Sequence, residues 1–197
     1  MDVRLFYLGS GDGNSSVLRL PLKAGLKMAQ KIGIVKTSNN FSDSKLGEVK
    51  NEKLGTARKF WVYTLSAERI KKLRDANRCK LRGFVVLSDR YPQSEFAGLC
   101  DGPRLSNAKG IAAQKEAECF RIAKLCPPDL VIKLIVPPEV AVQRKPGEIN
   151  IETSRNLTER VKEIKFSDHT KCVEIDSAQE QKKVWLDIKR AIWDAIG

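Results

Sequence analysis

Short apolar runs rich in β-branched residues alternate along this chain with longer stretches whose apolar positions recur every three or four residues. Val3 to Leu8 reads as a short strand, followed by a glycine-rich turn from Gly9 to Ser16. Residues 17–32 have helical spacing, with Pro21 tolerable only near the helix start. Residues 33–56 are polar and read as a mobile loop. The longest helix is expected from Ala57 to Arg82, with Phe60, Tyr63, Ala67, Ile70 and Leu73 or Arg74 along its apolar face and Gly83 ending it. Phe84 to Ser88 is then a strand, and it stops abruptly at Asp89-Arg90-Tyr91.

Pro92 to Asn107 reads as a loop containing Asp101-Gly102-Pro103. A helix from about Ala108 ends before Pro127-Pro128, and Leu130 to Val136 is a second clear strand. Pro138 starts a short helix, where a missing N–H costs nothing. Arg144 to Asn156 is basic and irregular, and Leu157 to Phe166 is helical. Lys171 to Ile175 is a third strand. Ser177-Ala178-Gln179-Glu180 has the form of a capping box for a last helix, with Val184, Trp185, Ile188, Ile192 and Ile196 on one face. Strands alternating with helices in this way predict a single α/β domain, a parallel sheet covered by helices on both faces.

Composition narrows the partners. No apolar run approaches the roughly 20 residues of a membrane helix, and the N-terminus lacks a secretory pattern. Five scattered cysteines, none in C-x-x-C spacing, argue against disulfides or zinc and for a reducing cytoplasm. A single histidine, His169, leaves little material for histidine-based chemistry. The net charge of +12 favours anionic partners. The basic residues are spread over helices, however, and no aromatic-interleaved basic motif points to nucleic acid.

The candidate chemistry sits where the strand ends, because ligands of open α/β sheets collect at the carboxyl ends of strands. Asp89 can hold a magnesium water shell or orient a proton, and Arg90 can hold a phosphate. The plain alternative is a structural ion pair. Arg69 and Arg144 have an equally plain alternative as solvated helix residues, and Asp101 as a residue that only shapes its turn.

Leu87-Ser88-Asp89-Arg90-Tyr91 resembles the Asp-Arg-Tyr motif of thymidylate kinases and their P-loop kinase relatives. Ala67-Glu68-Arg69 on the preceding helix, Pro128 to Ala141, and Ile175 to Ala178 agree with that family in order and spacing. The resemblance covers about residues 57–197. It is nearest to a bacterial branch with Asp-Arg-Tyr-Pro-Gln, here Asp89 to Gln93, and a later Asp-Gly-Pro, here Asp101 to Pro103.

The resemblance implies a P-loop nucleotide kinase type of fold and ATP-dependent phosphorylation of a nucleotide, dTMP first, with magnesium as cofactor. Asp89 would orient the acceptor or a magnesium-bound water. Arg90 and Arg69 would grip the acceptor's phosphate, with Tyr91 and Asp101 lining its pocket. Arg144, with Lys145 and Arg155, would belong to a mobile lid over the donor phosphates. Asp176 to Ala178 would border adenine. A homodimer is implied by the same likeness. The alternative is a non-catalytic nucleotide-binding or interaction protein.

That alternative arises because the family's phosphate loop, G-x-x-x-x-G-K-[ST], is absent from the sequence. Two placements follow for the first strand. In one, residues 3–16 are a degenerate phosphate loop in which Gly13 lends backbone N–H groups and Ser15 meets magnesium. In the other, Val3 to Leu8 is the second strand and the chain starts late, lacking the family's first strand. Arg4 within the strand suits an edge and favours the second placement.

Overall fold

The computed structural model of the chain describes residues 2–10 and 55–197. The expected helix at 17–32, nearly all of the polar loop at 33–56, and the candidate residues Gly13 and Ser15 lie outside the described residues. In chain order the described elements are β1 (Val3–Phe6), α1 (Thr56–Leu81), β2 (Val85–Ser88), α2 (Ile111–Leu125), β3 (Leu130–Ile135), α3 (Pro138–Arg144), α4 (Ile151–Glu163), β4 (Lys171–Asp176) and α5 (Gln181–Ile196). The class is α/β with parallel pairing throughout, as the alternation predicts.

Among the described residues the parallel pairing falls into two small sheets and not the one sheet expected. The described strands form two parallel pairs, β1 with β2 and β3 with β4. They belong to two compact units, one reaching to Ala123 and one starting at Lys124. In the first pair Val3 stands opposite Val85 and Leu5 opposite Leu87. These positions share one face because side chains alternate along a strand. Leu5 is 78% exposed, and Val3 and Leu87 are exposed too. The described residues therefore cover that face only in part. In the second pair the register runs from Leu130 opposite Lys171 to Ile135 opposite Asp176.

The long helix α1 forms where the periodicity places it, but its buried face is rotated from the expected one, with Ile70 and Leu73 common to both. Val62, Leu65, Ser66, Arg69, Ile70 and Leu73 are buried, whereas Phe60 is half exposed. The true stripe includes a serine and an arginine, so a search for apolar spacing alone rotates it. Leu8, Ile70, Leu73, Cys119, Ile122 and Ala123 pack into one core cluster, with Tyr91 against it. Burial pushes the Cys119 thiol up to about 11, which makes it a packing residue. Gly83, with φ of +81°, follows the helix and turns the chain into β2.

In the second unit α4 begins at Ile151, earlier than the expected Leu157. Asn150 is the reason: its side chain accepts the Thr153 N–H at 2.7 Å. The stretch read as irregular lid is thus largely the end of α3, a turn at Gly147 and the first turns of α4. The capping box at Ser177 does not form. Ser177 Oγ donates instead to the Ile135 carbonyl, and α5 begins at Gln181. The buried Lys133 donates from Nζ to the Lys162 carbonyl near the C-terminal end of α4, at 2.6 Å. That end of a helix carries unpaired carbonyls and partial negative charge, which suits a cation. No helix among the described residues is long and apolar enough to cross a membrane.

Candidate functional site

The carboxyl ends of β1 and β2 lie side by side because the strands are parallel and in register. Phe6 is opposite Ser88, so Leu8, Gly9 and Ser10 continue beside Asp89 and Arg90. Asp89 Oδ1 accepts the Leu8 N–H at 2.8 Å. Gly9 allows this approach: a Cβ there would lie 3.1 Å from Asp89 Oδ2 and 3.0 Å from the Tyr7 hydroxyl. Helix α1 reaches the same place with two cations. Arg69 Nε donates to the Leu8 carbonyl at 2.7 Å, and Lys72 Nζ donates to the Tyr7 carbonyl at 2.8 Å. Lys72 also pairs with Glu68 one helical turn earlier.

The loop after β2 closes over this corner. Gln93 is buried; its amide nitrogen donates to the Phe96 and Leu99 carbonyls and its oxygen accepts the Phe96 N–H. Gly102 is required here, since a Cβ would overlap the Phe96 carbonyl oxygen and the Gln93 side chain. Cys100 and Asp101 both take left-handed backbone conformations, with φ of 44° and 62°. Asp101 is thereby turned inward and is 1% exposed. Its Oδ1 meets Arg69 Nη2 at 2.5 Å and Arg104 Nη2 at 3.9 Å, and its Oδ2 meets Arg90 Nη1 at 3.6 Å. Arg104 also reaches Ser10 Oγ at 3.4 Å.

The electrostatics follow from these neighbours. Burial on its own raises the Asp101 carboxyl. The Arg69 charge, hydrogen bonds from Ser10 and Arg69, and the Arg104 charge outweigh it and hold Asp101 below its ordinary value. Glu116 on α2 behaves in the opposite way. It accepts the N–H groups of Arg104 and Leu105 at 2.9 and 2.7 Å, yet burial prevails and raises it.

The structure therefore gathers Asp89, Arg90, Arg69 and Asp101 into one cluster. It adds Ser10, Gln93, Arg104 and Glu116, which the sequence reading missed. Arg104 and Glu116 carry no local signal, because their partnership spans a loop and a helix. Gln93 and Ser10 stand within quoted motifs, but their roles emerge only from the folded loop. Tyr91 is placed differently from its expected part in the acceptor pocket: its hydroxyl donates to the Ala123 carbonyl at 3.1 Å and its ring packs on the core.

The remaining candidates belong to the second unit. Arg144 at the end of α3 donates from both terminal nitrogens to the Ser177 carbonyl, at 3.1 and 3.2 Å. Asp176 accepts the Ala178 N–H at 2.8 Å in a tight turn after β4. Arg144 and the Asp176–Ala178 turn are thus brought together, and Arg155 lies exposed on α4. Among the described residues no group of three or more histidine, cysteine, aspartate or glutamate side chains is placed to hold a metal ion.

Comparison with known proteins adds a chemical direction. The chain is 28% identical over 195 residues to the uncharacterized ATP-binding protein YghR of Escherichia coli K12, an alignment covering 94% of this chain and 73% of that protein. The YghR protein of Escherichia coli O6:H1 matches to the same extent. A second protein of strain K12, uncharacterized ATP-binding protein YghS, is 33% identical over 92 residues, covering 43% of this chain and 39% of that one. No family model matches the chain, and no solved structure matches it.

Proposed function

We propose that this chain is a nucleotide-binding protein of the P-loop kinase type that uses ATP to phosphorylate a small phosphate-bearing acceptor, with dTMP the first to try. The observation that carries the reading is the cluster at the β1 and β2 ends, where Arg90, next to Asp89 in the chain, and Arg104 both reach the buried Asp101. Names of relatives that specify ATP binding support the donor. The order of the Asp-Arg-Tyr, Asp-Gly-Pro and adenine-side segments supports the acceptor class.

In the reaction an oxygen of the acceptor's phosphate attacks the γ-phosphorus of ATP. The bond from that phosphorus to the β–γ bridging oxygen breaks, and ADP leaves with the electron pair. Little covalent chemistry falls to the protein, which positions the reactants and offsets spreading negative charge. Arginine suits this work because its planar fork matches phosphate oxygens. Asp89 keeps Oδ2 for the reactants while Leu8 holds Oδ1. A single carboxylate of this kind fits magnesium, which binds through one or two carboxylates together with substrate phosphates and water. The ion would neutralise donor phosphate charge.

A second reading, nucleotide binding without catalysis, is favoured by one observation: the sequence contains no G-x-x-x-x-G-K-[ST]. That lysine ordinarily answers the β- and γ-phosphate charge. Calorimetric titration of the full chain with magnesium-ATP and with dTMP, followed by a coupled ADP-release assay, separates the two. ADP release that depends on dTMP and is abolished by Arg90→Ala supports the kinase. Binding without turnover supports the second reading, and binding of neither nucleotide overturns both.

A further inference from the structure

The resemblance assigns Asp101 and Arg69 to the ligand, but their surroundings describe another task. Arg69 spends its guanidinium on the Leu8 carbonyl and on Asp101, and its side chain is 5% exposed. Asp101 is more deeply buried still. Arg104 is 14% exposed and Arg90 is 51% exposed, so the cations are graded from the interior outward around one carboxylate. The three arginines arrive from α1, from the end of β2 and from the loop that carries Asp101 itself. The left-handed backbone at Asp101, which aspartate tolerates better than most residues, belongs to a loop that Gln93, Gly102 and Glu116 hold in shape.

We propose that Asp101 is a positioning residue that touches no ligand, and that it sets Arg90 and Arg104 as the two groups receiving a single terminal phosphate. The inference rests on the phosphate-acceptor reading and deepens it by naming the ligand class, a phosphomonoester. The chemistry of the two outer groups points the same way, since the planar forks of Arg90 and Arg104, both held on Asp101, match the oxygens of one phosphate group. Ser10 accepts from Arg104 and donates to Asp101, which ties the end of β1 to the same carboxylate.

The sign of one substitution separates positioning from bulk charge. Asp101→Asn removes a negative charge beside an anion site, which by charge alone tightens phosphate binding. Positioning requires the opposite: about tenfold weaker binding of dTMP, as expected when a charge-assisted hydrogen bond is lost. The ratio of dTMP to thymidine affinity should fall with it, a readout that loss of stability does not move in the folded fraction. Should Asp101→Asn not fold, the arginine resonances of the unmodified chain decide the inference, because they separate the two ligand contacts Arg90 and Arg104 from Arg69.

The probes are dTMP, thymidine and inorganic phosphate, added to the ¹⁵N-labelled full chain. Arginine side-chain N–H resonances are followed by NMR. The expected result is that phosphate and dTMP move Arg90 and Arg104 and leave Arg69 in place. Movement by inorganic phosphate, with dTMP binding no tighter than phosphate, would retain this inference and remove the nucleotide acceptor. Unmoved Arg90 and Arg104 signals, or unchanged or tighter dTMP binding by Asp101→Asn, would overturn the inference.

Discussion

Arg69 and Asp101 form an ion pair inside the protein, with Nη2 2.5 Å from Oδ1 and the side chains 5% and 1% exposed. Such a pair contributes little by existing but makes either partner costly to remove alone, because the survivor is a buried unpaired charge. Asp101→Asn and Arg69→Met should each destabilise the chain by about 3 kcal/mol or more. The double variant should be less destabilised than the sum, with a coupling of about 1–3 kcal/mol. Asparagine tolerates the left-handed backbone at position 101, so the comparison isolates the charge. Urea midpoints of the four proteins measure the cycle, and strict additivity would contradict the pairing.

Gly102 should tolerate no side chain, since its missing Cβ is what lets the loop pack. Gly102→Ala drives a methyl group into a backbone carbonyl and the buried Gln93 amide. The expected cost is about 2–3 kcal/mol, in the range of overpacking. Gly147 provides the control, with φ of +78° but open space around its Cβ position. Gly147→Ala should cost only about 1 kcal/mol, the backbone penalty without the clash. Equal losses of thermal stability in both variants would mean that steric closure at Gly102 is unimportant.

Some of this was legible in the sequence for identifiable reasons. The α/β class follows from apolar runs alternating with helical periodicity, and α1, β2, β3 and β4 stand within a few residues of their expected bounds. Asp89 and Arg90 could be singled out because a strand end is a local feature, and Arg69 only through the family resemblance of Ala67-Glu68-Arg69. The buried face of α1 was not legible, because Ser66 and Arg69 interrupt its apolar stripe. Asp101 could be picked out, but its inward direction depends on backbone angles that a turn sequence only loosely limits. Arg104 and Glu116 depend on a long-range hydrogen bond and have no sequence signature at all.

Asn150 and Ser177 in the second unit make a clean contrast. Asn150 caps α4 through its side chain, so Asn150→Ala should cost about 1 kcal/mol and lower the helical circular dichroism signal. Asn150→Asp should keep the stability, since a carboxylate also accepts the N–H and suits the positive helix end. Ser177 bonds the Ile135 carbonyl. Ser177→Ala should therefore cost about 1 kcal/mol of a hydrogen bond while leaving α5 helicity unchanged. Loss of α5 helicity on Ser177→Ala would restore the capping box that the sequence suggests.

Asp101 and Glu116 should give stability two opposed pH limbs. The folded Asp101 carboxyl lies below its ordinary 3.8 despite burial, because Arg69, Ser10 and Arg104 favour its charged form. Its stabilisation is complete above that ordinary value and is lost as pH falls through the depressed one. Glu116 is raised above 4.5 by burial, against the pull of the Arg104 and Leu105 N–H groups and of the Arg104 and Arg69 charges. Ionising it costs the folded state, so stability rises as pH falls through its raised value toward 4.5, and that gain ends there. On acidification the Glu116 contribution thus grows above pH 4.5, before the Asp101 contribution collapses below pH 3.8. Urea midpoints measured across pH should show Glu116→Gln removing the first limb and Asp101→Asn removing the second, each as a difference from the unmodified chain. A difference curve that is flat for both variants would mean that neither carboxyl is perturbed by its neighbours.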